Sequence, residues 1–532
     1  MSTSTRARTR QALRRPPSSL MQNRFFPFVR SASLPVQRRF RKAATFGLSI
    51  IASGAASCTP VADAPDVLAD WAHLAASPER RDAPIDLTGP RRHVIIVIGD
   101  GMQLAHEIAT SRYLYGTEHG LSFHSLPTRL YKTTWDVNVY NARASALGVL
   151  PYSPNTFDPA VGYDLLLGGE APYPIVPDDA ARRSYFLSGI YPDSASTATA
   201  MSTGIKTDSS NIAWFPGDPP NGALATTPQL LRRRYGMSIG FVTTGPISHA
   251  TPSGWFAHNP ERFDYLPLGR EILRETRPDV VIGGGVGPQG GSYVDQADVD
   301  AALSTGEWWS VRREPGVDGG ESLRAAARQA REGQKRLLGT FGGGAGNFES
   351  PVPSDSPGHP SVTRGSTENP SFADAAVAAL EVLSDNPRGF FLLAEQADID
   401  WANHSNDFPR MVGCVWDLER GVQAILDYVD QPGDEIDWSN TTLVVTADHA
   451  NSYLRLGRTL GPGELATLDP VTGVYDPDEI TYGTGSHTSE LVTVYAKGRA
   501  ASFLEDAATI YPGHPIIDDT SIYGMTLQAV MP

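Results

Sequence analysis

Residues His93 to Ile98 read HVIIVI, an unbroken β-branched run that stops at Gly99-Asp100-Gly101. A strand that is apolar at every position has no face to give to water, so it belongs in the middle of a sheet covered on both sides. The same grammar recurs in SIGFVTT from Ser238, DVVIGGG from Asp279, GFFLLAE from Gly389, TTLVVTADH from Thr441 and LVTVYAKG from Leu491. Several of these runs end in polar or glycine residues, as they do where the carboxyl edge of a sheet carries a site. Helical patterns lie between them. Thr227 to Tyr235 closes at Gly236, Ser371 to Ser384 comes after a proline-rich stretch, and Met411, Val415, Leu418, Val422, Ile425 and Val429 recur at three- and four-residue steps. This alternation predicts an α/β fold with a doubly wound, mostly parallel central sheet and helices on both faces.

Two stretches break the alternation. Residues 138–183 and 288–370 are rich in Gly, Pro and Ser and are expected to be insertions over the site face or at an interface. No internal repeat is visible. The first 57 residues are set apart by composition: an arginine-rich start without an acid leads to the apolar run AATFGLSIIASGAAS. That order is the pattern of a signal segment, and the run is too short to span a bilayer comfortably. Cys58 comes next, where a lipoprotein signal places its acylated cysteine, with Ala55 in place of the usual leucine; plain secretion is the alternative. Arg38 and Arg39 match a twin-arginine signal only in part, and Met21 offers a second start. Residues 58–90, rich in Ala, Pro and Asp, are expected to be a tether. The chain is thus expected to be exported, to the periplasm or a membrane anchor. Residues 91–532 are left as one catalytic body, in which Cys414 reads as a buried thiol. The net charge of −15 disfavours a nucleic-acid partner, whose phosphates demand a basic surface.

Chemistry-bearing residues gather at the ends of the apolar runs. In YPDSASTATAMSTGIKT small residues surround Asp193 and Ser194 at a helix start, where free N–H groups and the helix dipole suit a bound phosphate. The bland reading of the same segment is a simple cap. GFFLLAEQADIDWANHSND carries Glu395, and Asp400 and His404 four residues apart, a spacing that aims both at one metal. A solvated acidic loop is the competing reading. Asp448 and His449 stand together after another strand, Asp100 after the first, and His487 before the last. Core packing links none of these five fragments, whereas cation binding accounts for all of them.

This set, in this order, resembles the alkaline phosphatase family over roughly three quarters of the chain, from His93 to Gly498. The resemblance implies a zinc held by Asp400, His404 and His487, and a second held by Asp100, Asp448 and His449 that activates Ser194 as nucleophile. It implies a magnesium bridged by Asp100 and bound by Glu395 and Thr251. Arg262 would grip two phosphate oxygens with its planar fork, oriented by Asp193 unless that residue only caps the helix. The implied reaction is hydrolysis of phosphate monoesters over a broad substrate range, through a phosphoserine intermediate, with retention at phosphorus from two in-line inversions. A homodimer is a further implication. His106 and His258 lie near these motifs and are given packing or surface roles. Hydrolysis of diesters or sulfates on the same scaffold is the rival enzyme reading, and a surface lipoprotein that only binds is the rival from another class.

His249, two before Thr251, and Trp401, next to Asp400, stand at variable positions where some members of the family carry Asp and Lys, and their pairing resembles certain other bacterial members. Tyr191 replaces the usual aliphatic residue before Pro192-Asp193-Ser194. An indole offers phosphate no charge, so Trp401→Lys is expected to tighten competitive inhibition by inorganic phosphate. An inhibition constant that does not move would remove a role for Trp401 in product release.

Overall fold

The computed structural model describes residues 91–287, 293–433 and 435–531. The leader, the tether and Cys58 lie outside them. Among the described residues ten strands form one sheet: β1 (Arg92–Gly99), β2 (Thr128–Thr133), β3 (Ser238–Pro246), β4 (Val280–Gly284), β5 (Trp308–Arg312), β6 (Arg336–Thr340), β7 (Gly389–Gln396), β8 (Thr441–Thr446), β9 (Val492–Gly498) and β10 (Ile516–Asp518). Their spatial order is β10-β2-β9-β8-β1-β7-β3-β4-β6-β5. Among them β9 alone runs against its neighbours, β8 and β2. The sheet is therefore mostly parallel, and the HVIIVI run holds its centre between β7 and β8.

Alternate residues of β1 enter two separate cores. Ile95 and Val97 pack with α7 (Phe372–Leu383), α9 (Phe408–Asp430) and α1 (Leu104–Tyr115). Val94, Ile96 and Ile98 pack with α2 (Ser194–Thr203) and α4 (Ala250–Phe256) on the other face. The two-residue period of a strand thus builds a layer on each side. The stripe foreseen from Met411 to Val429 is fully buried on α9, with Cys414 beside it as a free thiol. The helix α3 (Thr227–Tyr235) ends at Gly236 with φ +68°, the left-handed cap that glycine takes without strain.

The two expected insertions behave differently. Residues 138–183 form short helices that close an aromatic cluster of their own with Trp135, Phe186, Tyr453 and Tyr511. The stretch from 288 to 370 is not an insertion throughout. After Tyr293 it supplies α5 (Gln296–Ser304), β5, α6 (Gly319–Glu332) and β6, which complete one edge of the sheet. Only the part from Phe341 to Pro370 is largely irregular. Edge strands such as WWSVR keep an exposed face, so they lack the continuous apolar run that marks the centre. Among the described residues no helix is long and apolar enough to cross a membrane.

One buried ion cluster joins the far edge to the middle. Lys206, three residues past α2, lies 3.0 Å from Asp518 and 2.5 Å from Asp519 at the end of β10, and donates to the Trp135 carbonyl. Removing one partner of a buried pair leaves uncompensated charge. Lys206→Met is therefore expected to destabilise the fold by about 3–5 kcal/mol, read as a lower urea midpoint; a midpoint equal to wild type would show the cluster to be dispensable.

Candidate active site

The strand register brings the chemistry-bearing fragments to one height. Ile98 of β1 lies level with Thr446 of β8 and Glu395 of β7, and Glu395 lies level with Thr243 of β3. Asp100, Glu395 and Asp448 therefore emerge side by side at the carboxyl edge. His487 arrives by another route. Because β9 is antiparallel, its amino end lies at that same edge, and His487 pairs there with Asn451 in a short bridge.

Backbone detail closes the gap between fragments. Gly101 sits at φ +68°, where a Cβ would fall 2.7 Å from Asp400 Oδ1, and its N–H donates to Asp448 Oδ1 at 2.9 Å. The helix α8 (Asp398–His404) sets Asp400 and His404 one turn apart, with Oδ2 and Nε2 separated by 3.2 Å. His487 Nε2 lies 3.1 Å from His404 Nε2 and 3.5 Å from Asp400 Oδ1. On the other side, His449 Nε2 lies 3.2 Å from Asp448 Oδ2 and 3.7 Å from Asp100 Oδ1. Two triads, Asp400-His449-His487 and Asp100-Asp448-His449, each bring ligand atoms within 4.8 Å of one another. His449 thus stands between both groups and stacks on His487 at 3.7 Å.

The imidazoles are aimed by their outer nitrogens. His404 Nδ1 meets the Gly485 carbonyl at 2.8 Å, and His487 Nδ1 meets that of Pro192 at 2.9 Å. Donation to those carbonyls leaves each Nε2 lone pair facing the carboxylates, the arrangement of a metal-ligating histidine. Around them, both carboxylate oxygens of Asp100, Oδ2 of Asp448, Oε1 of Glu395, Oγ1 of Thr251 and Nδ1 of His249 are buried without a hydrogen-bond partner. Burial, reinforced by Asp448, Asp400 and Glu395, holds the Asp100 carboxyl well above its usual range, and burial lifts Glu395 to about 7 against the Thr243 hydroxyl. Orphaned carboxylate, hydroxyl and imidazole atoms in one dry place are the donor set of divalent cations such as zinc and magnesium, and the residues present fit such ions.

Ser194 opens α2 against this cluster, its Oγ 3.1 Å from His449 Nε2. Asp193 performs both roles weighed from the sequence. One carboxylate oxygen caps α2 by accepting from the Ser196 N–H at 3.0 Å, and the other meets Arg262 Nη1 at 2.9 Å. Burial would raise Asp193, but the Arg262 guanidinium outweighs it and holds the carboxyl below its usual range. His249 is pushed down to about 3 by burial and by Arg262, so it is neutral. Trp401 turns its ring edge to His249 at 5.9 Å. His106 and His258 pack away from the cluster: His106 meets the Gln103 N–H and Asn403, and His258 meets Glu271 and the Leu224 carbonyl.

Three contributors escaped sequence reasoning, Asn451, Thr243 and Lys132, and a fourth, Tyr191, stands out in the sequence only as a departure. Asn451 donates to Asp400 Oδ1 at 2.6 Å, and Thr243 donates to Glu395 Oε2 at 2.6 Å. Tyr191 lies 5.8 Å from the His487 ring, which gives the departure at that position a physical neighbour. Lys132, lowered by burial to about 8, donates to the carbonyl of Ala447, the residue before Asp448. The first two stand in fragments already singled out, at the ends of the SIGFVTT and TTLVVTADHAN runs.

A helix-start serine facing buried carboxylates and imidazoles at the carboxyl edge of a doubly wound sheet is an arrangement suited to metal-assisted hydrolysis. The family model for alkaline phosphatase matches residues 176–473, more than half of the chain. The chain belongs to the alkaline phosphatase family. It is 28% identical over 377 residues to alkaline phosphatase of Escherichia fergusonii, covering 64% of this chain and 73% of that one. To alkaline phosphatase 4 of Bacillus subtilis it is 27% identical over 270 residues, spanning half the length of each. Alkaline phosphatase from the Antarctic bacterium TAB5 shares the fold, with a TM-score of 0.55 and 19% identity over 83% of this chain and 98% of that one.

Replacing Asn451 by Ala removes the group that fixes Asp400. Supporting residues of this sort typically contribute 10–100-fold to metal affinity, and a loss of about that size is expected when a competing chelator is titrated against the metal-loaded protein. Retention equal to wild type would show that Asp400 needs no such support.

Proposed function

We propose that the chain hydrolyses phosphate monoesters, with Ser194 as nucleophile and with two zinc ions and one magnesium as cofactors. The observation that carries this reading is the approach of Ser194 Oγ to His449 Nε2, 3.1 Å apart, beside the carboxylates of Asp100 and Asp448. Asp400, His404 and His487 would hold one zinc, Asp100, Asp448 and His449 the other, and Asp100, Glu395 and Thr251 the magnesium. Bound there, the ions supply Lewis acidity, which favours the ionised form of a neighbouring hydroxyl and neutralises charge on phosphoryl oxygens.

The residues of the chain do the rest. Asp193 holds Arg262 in place, so that its remaining N–H groups can receive two oxygens of the phosphoryl group. The α2 amino end offers its free N–H groups to the same anion. Ser194 Oγ attacks phosphorus in line, the bond to the leaving oxygen breaks, and the departing alcohol takes a proton. Water then attacks the phosphoserine, the P–Oγ bond breaks, and inorganic phosphate leaves as Ser194 recovers its proton. A monoester dianion matches this set better than a diester, because Arg262 and the Glu395 and Thr251 pair serve a fully charged phosphoryl group. The leader read from the sequence favours an exported enzyme, anchored through Cys58 or released by cleavage, and the family resemblance favours a homodimer.

The test is a panel of monoesters, diesters and aryl sulfates, with wild type, Ser194→Ala and chelated enzyme. Monoester turnover is expected to fall at least about 1000-fold in both the variant and the chelated protein. A preference for diesters or sulfates by the wild type would overturn the monoesterase assignment, and a protein that retains no zinc and turns over none of the panel would point to binding alone.

A further inference from the structure

Between β3 and β5 an aromatic group borders the place where the phosphoryl group would sit. Tyr265 and Tyr293 lie 4.6 Å apart, ring centre to ring centre, and Tyr265 stacks parallel to His249 at 6.4 Å. Trp401 closes on His249 from α8, and Phe263 meets Tyr265 edge-on at 6.1 Å. The Arg262 guanidinium, which faces Asp193 next to Ser194, lies 5.4 Å from the Phe263 ring. Rings that only fill a core are covered, yet Phe263 is 60% exposed and Tyr265, Tyr293 and Trp401 are half-buried. Only His249, innermost in the group, is fully enclosed, and its Nδ1 has no partner. A contiguous aromatic wall kept partly in water beside a charged binding group is a feature of recognition sites.

We propose that this wall binds the leaving group of the ester and selects planar aromatic ones, an aryl ring or a nucleobase, over aliphatic alcohols. The inference rests on the monoesterase reading above and adds the substrate class. The phosphoryl group would be held by the Arg262 N–H groups that Asp193 leaves free, and the Phe263 ring lies beside the same guanidinium, so a group carried on the ester oxygen would meet the wall. Phe263, Tyr265 and Tyr293 present ring faces and edges there, and stacking on such surfaces tolerates any π system of suitable size. A flexible alkyl or sugar alcohol gains little from the same wall.

The experiment compares wild type with Tyr265→Leu/Tyr293→Leu and with Phe263→Ala, the most exposed ring and the variant least able to disturb folding. kcat/KM is measured for phenyl phosphate, a nucleoside 5′-monophosphate and ethyl phosphate. Binding of phenylphosphonate and methylphosphonate, which are not hydrolysed, is followed by calorimetry on the metal-loaded proteins. The aromatic-to-ethyl ratio of kcat/KM is expected to fall about fivefold or more in the double variant, with the phenyl-to-methyl binding ratio falling in parallel. A fall confined to phenyl phosphate assigns the wall to a ring on the ester oxygen, and a fall shared with the nucleotide extends it to a base beyond a sugar. Ratios equal to wild type in both variants would overturn the proposal. A wild type that hydrolyses none of the three esters would instead sink the monoesterase reading, while the phosphonate ratio would still decide whether the wall selects aromatic groups.

Discussion

Four carboxylates, from Asp100, Glu395, Asp400 and Asp448, share one dry edge of the sheet, and much of the local structure answers to that fact. Like charges in a desolvated place repel, and an isolated buried carboxylate gives up its charge rather than stay ionised. Here Asp100 is driven well above its usual range by burial and by its three neighbours. Such a constellation survives in a folded protein when cations complete it, so metal binding and folding of this edge share one free energy. Gly101, Asn451, Thr243 and the carbonyls of Pro192 and Gly485 each settle the position of one member. None of them needs to react.

The centre of the fold is plain in the residues because a strand buried on both faces cannot disguise itself: VIIVI, FFLLA and LVV contain nothing that water would accept. The edge strand β5 and its neighbour β6 are harder to see, since WWSVR and RLLGT are short and partly solvated and lie in a glycine-rich neighbourhood. The direction of β9 is not written in its own sequence at all. It is set by tertiary pairing, and it is what delivers His487 to the right edge.

The candidate site divides in the same way. Asp100, Asp448 with His449, and Asp400 with His404 are legible because acid and imidazole directly after a buried strand have few other uses. Asn451 reads as a loop residue, and its hydrogen bond to Asp400 depends on two fragments meeting. The aromatic wall is still less visible, for its rings come from three segments, Phe263 with Tyr265, Tyr293, and Trp401, that meet only in the fold. Strand ends thus carry the reacting groups, whose types announce them, while the connections carry the surroundings, whose types do not.

Lys206 sits just past α2, but its two carboxylate partners, Asp518 and Asp519, come later in the chain than every one of the candidate metal ligands. Without those two carboxylates the ammonium of Lys206 would have no counter-ion once buried, and closing the fold over it would be costly. A chain cut short ahead of Asp518 would be an unfinished fold rather than a slightly smaller enzyme.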